Sequence, residues 1–155
     1  MATSHPKSPL PHEADTLAEL EANGFEWASD HRGWGFWELD DAALKHVKRL
    51  VSIGFLDLFG SCEENQTTDA GLKNLAQCQS LQSLCLGPSI TDAGLKHLRG
   101  LVQLRELRLD SCESVTDAGM KHLSTLVNLE CLSLQYTQVT DAGVRAIGSL
   151  PHLTE

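Results

Sequence analysis

Apolar and polar positions in this 155-residue chain follow two patterns that succeed one another at a fixed interval. One is Leu-x-x-Leu-x-Leu, at Leu81–Leu84–Leu86, Leu104–Leu107–Leu109 and Leu129–Leu132–Leu134. Its closing alternation predicts a short strand with one buried face. The other is an apolar pair three residues apart: Leu95 and Leu98, Met120 and Leu123, Val144 and Ile147. With polar or small residues between its members, that pair predicts a short helix.

Each helical stretch opens on Thr-Asp-Ala-Gly, at Thr68, Thr91, Thr116 and Thr140, in steps of 23, 25 and 24 residues. Thr at the head suits a helix N-cap, because its hydroxyl accepts a backbone N–H two or three residues on. The Asp behind it favours the positive end of the helix dipole. Gly, three residues after the Thr, adds no Cβ and lets neighbouring coils approach closely. A strand, a turn and a short helix in about 24 residues cannot bury their apolar faces alone, so they stack on their own copies. Weaker copies precede the clear ones. Asp40-Asp-Ala-Ala-Leu44-Lys-His-Val47 mirrors the helical phrase, Ile53-Gly-Phe-Leu56-Asp-Leu58 supplies the next strand, and Trp34-Gly-Phe36 reads as a first strand. The 28-residue step from Asp40 to Thr68 puts about four extra residues in a loop within 59–67.

These phrases resemble the cysteine-containing and "TDAGL" kinds of leucine-rich repeat, over residues 39–155. The stretch Ala76-Gln-Cys78-Gln-Ser-Leu81 and the Leu-x-x-Cys112 placement fit the cysteine-containing subtype, and Ser89 or Thr137 stands at the equivalent of Cys112 elsewhere. The resemblance implies an α/β leucine-rich-repeat solenoid: a short right-handed horseshoe of about five coils, the last incomplete. A parallel sheet would line its concave side and helices its convex side. It also implies a module that binds a protein partner without catalysis. A special case is substrate recognition in a ubiquitin ligase, as in F-box receptors, although no F-box-like segment is apparent before Gly24.

Strand alternation places the candidate contact residues on the outer sheet face, in columns about 4.8 Å apart. The first column holds Phe55, Ser83, Glu106 and Cys131, and the second Asp57, Cys85, Arg108 and Ser133. The third holds Phe59, Gly87, Asp110 and Gln135. These positions vary while the inward leucines repeat, as a recognition surface would. Phe55, Phe59 and Tyr136 are the expected anchors, with Arg108 between Glu106 and Asp110 giving orientation.

Other chemistry has a plainer explanation. His46, His97 and His122 share one repeat position beside lysines, which disfavours a metal. The Asp69, Asp92, Asp117 and Asp141 column reads as helix-terminus stabilisation and not as a calcium site. Cys85 and Cys131 have no histidine beside them on the strands to act as base. No Ser-His-Asp set, phosphate-cradling glycine loop or Cys-x-x-Cys pair stands out. No catalytic residue, metal site or cofactor is expected.

Net charge is −9 and uneven, with 12 acids against 5 bases in residues 1–67 and 9 against 7 in residues 68–155. Without a basic stripe, nucleic acid is not an expected partner. Five cysteines, no apolar leader and no bilayer-length stretch point to an intracellular, cytoplasmic protein without a membrane partner. Residues 1–12, with three prolines, read as a disordered tail, and residues 13–38 as a helix and a cap holding Trp27, Trp34 and Trp37. Leu150-Pro-His-Leu153 matches the start of another strand, so the last coil is expected to show an open edge. Either the chain is a piece of a longer array that continues through this edge, or a second copy or another partner covers it, which gives an assembly role as the alternative function.

Overall fold

In a computed structural model, residues 8–23, 25–30, 33–37, 39–59 and 67–154 are described, with backbone alone at 28, 30, 33, 34 and 37. The strands among them are β1 (Trp27–Asp30), β2 (Gly33–Trp37), β3 (Phe55–Asp57), β4 (Ser83–Cys85), β5 (Glu106–Arg108) and β6 (Cys131–Ser133). They form one sheet in chain order. β1 and β2 are an antiparallel hairpin, and every later pairing is parallel. The helices are α1 (Ala14–Ala22), α2 (Asp41–Val47), α3 (Asp69–Leu72), α4 (Asp92–Leu95), α5 (Asp117–Leu123) and α6 (Asp141–Ile147). α3 and α4 tighten at once into 3-10 turns, Lys73–Gln77 and Lys96–Leu98.

Register puts Phe36, Leu56, Leu84, Leu107 and Leu132 in one inward row. Together with the helical Leu72, Leu95, Met120 and Leu123 they form one continuous buried cluster from α1 to Leu150. Each such side chain contributes about 1.5–3 kcal/mol of transfer free energy, realised only when the neighbouring coil is in place. The leucine pattern therefore dictates both the strand and the stacking.

A second ladder, made of polar groups, runs beside the leucines. The Thr68, Thr91, Thr116 and Thr140 hydroxyls each accept the N–H two residues on, at 3.2 Å. Each also reaches the preceding coil. Its N–H and hydroxyl donate to the carboxylate of Asp41, Asp69, Asp92 or Asp117, respectively, at 2.6–2.9 Å. The repeat aspartates thus tie coil to coil, a role beyond the dipole pairing that their position predicts. The ladder also accounts for the glycines. A Cβ on Gly71, Gly94, Gly119 or Gly143 would overlap the Oδ1 atom of that same aspartate.

The Thr140 N–H, and then its hydroxyl, hold the Asp117 carboxyl below its ordinary value. The ionised form is therefore preferred in the fold. Its contribution is complete above the unfolded value of about 3.9 and is lost as pH falls through the lower folded value. Thermal melts between about pH 5 and 2 should show this loss, with a shallower decline in Asp117→Asn. Identical pH profiles for the two proteins would contradict it.

At the amino end, residues 1–7 of the expected tail lie outside the described residues. Residues 8–12 depart from that expectation because Glu13 anchors them. Its buried carboxylate accepts the Ser52 N–H at 2.9 Å, the Ser52 hydroxyl at 2.5 Å and the Leu10 N–H at 2.7 Å. The expected first strand is β2. The strand before it, β1, lies within the tryptophan-rich stretch expected to be a cap. Trp27 donates from Nε1 to Glu21 at 3.2 Å, whereas the Trp34 and Trp37 side chains lie outside the described set. Of the expected 59–67 loop, residues 60–66 are likewise outside it.

Candidate binding surface

The outward positions of β3–β6 fall in the expected register. Phe55, Ser83, Glu106 and Cys131 are successive partners, as are Asp57, Cys85, Arg108 and Ser133. Phe59, Gly87, Asp110 and Gln135 follow beyond the strand ends.

Phe55 differs from the expectation of an exposed anchor: it is 0% exposed. Alternation predicted its side of the sheet correctly, since it lies outside the leucine cluster, but side does not determine exposure. Its β2 partner is Gly35. A Cβ there would overlap the Phe55 backbone carbonyl and come within 2.9 Å of the ring's Cγ, so glycine lets the two strands lie this close. Ser83, next in the column, is also buried and donates from its hydroxyl to Glu106 at 2.9 Å. The first column of this face is therefore filled at Phe55 and Ser83. The second column is more open: Asp57 and Cys85 are half-buried and Arg108 is exposed.

Arg108 and Asp110 form the centre of the open part. The Arg108 Nε and Nη2 donate to Asp110 Oδ2 at 3.3 and 3.2 Å. The Ser133 hydroxyl and the Gln135 N–H (3.1 Å) both donate to Asp110 Oδ1. Burial opposes charge on Asp110, but these donors outweigh it and keep the carboxyl below its ordinary value. Asp110 thus fixes Arg108 against the adjoining coil, and Asp57 and Glu106 make the surroundings acidic. Cys85 lies between Asp57 and Arg108 in register; burial, then the Asp57 carboxylate, push its thiol up to about 12. It stays protonated at neutral pH and is a weak nucleophile. Cys78 and Cys112 are also pushed up to about 12, by burial first, and donate to the Val47 and Gly87 carbonyls at 3.5 and 3.1 Å.

Two aromatic side chains stand at the strand-end rim. Phe59 is 43% exposed and Tyr136 is 77% exposed. Tyr136 has φ 58°, a left-handed conformation unfavourable for a bulky residue. Three strand spacings, about 14 Å, separate their coils.

The histidine column does not converge. His46 Nδ1 meets Glu19 at 2.8 Å, whereas His122 Nδ1 meets Arg99 at 2.6 Å. Among the described residues no three His, Cys, Asp or Glu side chains gather in a metal-binding group. No helix among them is long and apolar enough to cross a membrane.

Comparison with known proteins places this geometry. No curated protein matches the chain. An internalin of Listeria monocytogenes is similar over 71% of this chain at 22% identity, with a TM-score of 0.46, and the chain spans 36% of its length. Internalin C2 of the same organism is similar over 99% of this chain and 77% of its own, at 24% identity and a TM-score of 0.52. The latter likeness is one of fold. A leucine-rich repeat family model matches residues 103–124 and 125–148, the β5–α5 and β6–α6 coils. With Phe36 and four leucines in one inward row across five parallel strands, the fold is a leucine-rich-repeat solenoid, and the family model matches two of its coils.

Proposed function

We propose that the chain is a non-catalytic module that binds a protein partner on the outer, concave face of its sheet, around Arg108. The observation carrying this reading is the contrast between the two faces. Inward positions of β3–β6 are leucine throughout, whereas outward ones run Asp, Cys, Arg and Ser along a single column. Packing accounts for the first set and places no demand on the second. Tyr136 supports the same reading, because an exposed aromatic held at positive φ costs stability and contributes little to the core.

The partner implied is an extended basic segment with an apolar residue at each end. Asp57, Glu106 and Asp110 would attract its cations, and Phe59 and Tyr136 would hold its ends. Four or five extended residues span the roughly 14 Å between the two coils. Substrate recognition in a ubiquitin ligase would be one use of such a face and rests on family resemblance alone.

The test compares the wild-type chain with an Arg108→Ala/Tyr136→Gly double variant. The Tyr136 change should raise stability by about 0.5–1 kcal/mol, since glycine adopts positive φ freely. Affinity capture should nevertheless lose the partner by tenfold or more, as expected for removing a central Arg and an aromatic anchor. Capture of the same proteins in the same yield by both forms would refute the reading.

A further inference from the structure

At four junctions of the polar ladder a Thr donates to the carboxylate of the coil before it. At the first coil the roles are exchanged. Asp40 stands at the Thr place and Ala43 at the Gly place. The Asp40 Oδ1 caps α2 by accepting the Ala43 N–H at 2.7 Å, while its Oδ2 has no hydrogen-bond partner among the described residues. On this side α2 packs against α1 and not against another repeat helix. α1 covers the apolar stack with Leu17 and Leu20. Beside Asp40 it leaves a cleft of about 270 Å³, lined also by Leu20, Asn23, Phe25, Ala43 and His46. In α3 the residue matching Ala43 is Gly71, and a Cβ on it would overlap Asp41 Oδ1. The cleft therefore adjoins the α2 position that, in α3, meets a neighbouring carboxylate.

We propose that this cleft takes a Lys or Arg side chain from a basic peptide segment of a partner protein. Each internal junction joins one donor to one carboxylate. Here the coil itself supplies the carboxylate, so the occupant supplies the donor. Leu20, Phe25 and Ala43 give the aliphatic stem an apolar floor. Phe25 also borders a second groove, of about 380 Å³, together with Glu21, Glu26 and Trp27. Among the described residues lining the two grooves none is Lys or Arg. His46 has its Nδ1 2.8 Å from Glu19, so a proton on that ring is answered outside the cleft. Both volumes lie at the low end of the roughly 300–1,000 Å³ of small-molecule pockets, so each groove suits one long side chain. Two grooves that share one aromatic residue suit positions i and i+2 of an extended segment, which point the same way. The second cation would meet the Glu21 and Glu26 carboxylates beside the Trp27 ring. This site is separate from the Arg108 face and does not depend on the function proposed for it.

The test titrates the full chain with an acetylated, amidated Arg-Ala-Arg tripeptide, followed by NMR. Saturable shifts are expected in the carboxyl-terminal turn of α1, at Phe25 and Trp27, and in the first turn of α2. Asp40→Asn is the informative variant, because Asn caps a helix as well as Asp does and only the charge is removed. It should weaken binding about fivefold or more, the difference between a charge-assisted and a neutral hydrogen bond. Glu26→Gln, an exposed position in the second groove, should weaken it independently of any effect on α2. Equal affinity of the tripeptide for the wild type and both variants, or no saturation at millimolar tripeptide, would overturn the proposal. Shifts confined to β4–β6 would do the same, since the peptide would then sit on the Arg108 face. So would spermidine binding as tightly as the tripeptide, which would make the occupant a free amine.

Discussion

Leu107→Asp should leave the chain without cooperative structure at 25 °C, with loss of the far-ultraviolet circular dichroism signal and of the thermal transition. Leu107 is 0% exposed and pairs in register with Leu84 and Leu132, so its side chain faces leucine from the coils on both sides. A carboxylate there has no donor within the inward row, and burying an unpaired charge costs several kcal/mol. The lost leucine adds the usual 2–5 kcal/mol of a large core truncation. Together these approach the 5–15 kcal/mol that holds a domain of this size. In a solenoid the damage also spreads, because the coils on either side lose their covering surface. His97→Ala, on the partly exposed helical side, should change stability by less than about 0.5 kcal/mol. Comparable melting temperatures for the two variants would contradict the assignment of faces.

Gly119→Ala should destabilise by about 3 kcal/mol or more, against the usual sign of such a change. Replacing a helical glycine by alanine normally stabilises by about 0.5–1 kcal/mol, because alanine loses less backbone freedom. Here the new Cβ would overlap Asp92 Oδ1 and come within 2.8 Å of Leu95 Cδ1. The leucine methyl can swing aside. The carboxylate cannot, because the Thr116 N–H and hydroxyl hold it at 2.8 and 2.7 Å. The methyl must therefore break the rung or push the coils apart, and either route forfeits charge-assisted hydrogen bonds or core contact. Chemical denaturation of the wild type and Gly119→Ala measures the difference directly.

Much of this fold is legible in the pattern of residues, for a definable reason. Leu-x-x-Leu-x-Leu and the three-residue spacing of Leu95 and Leu98 are statements about one coil, and one coil repeated determines the stack. What depends on two coils meeting is not legible in that way. Asp92 reads equally well as a partner of its own helix dipole, and nothing in a single phrase says that its oxygens face Thr116, 24 residues later. Gly119 could be assigned a close approach, but not the atom approached. Phe55 shows the same boundary within the sheet. Alternation selects its face, while its burial shows only in the assembled sheet, where it pairs with Gly35 of another strand. The β1 strand was hidden because its pattern, Trp-Ala-Ser-Asp, carries no repeat signature and pairs antiparallel. On the candidate surface, the columns were readable from register. The clamp of Asp110 by Arg108, Ser133 and Gln135 needed coordinates, because it spans two coils.

The central claim is that the repeated aspartate and glycine form one contact across each coil junction. A double-mutant cycle on Asp92→Ala and Gly119→Ala tests it most directly, with unfolding free energies measured for all four proteins. Asp92→Ala alone should cost about 1–3 kcal/mol through its lost hydrogen bonds. The account predicts that the double variant is more stable than the summed losses imply, by at least about 1 kcal/mol, because the alanine methyl then enters space the carboxylate has left. Losses that add to within about 0.5 kcal/mol would mean the two residues do not meet, and the polar ladder would fall with them.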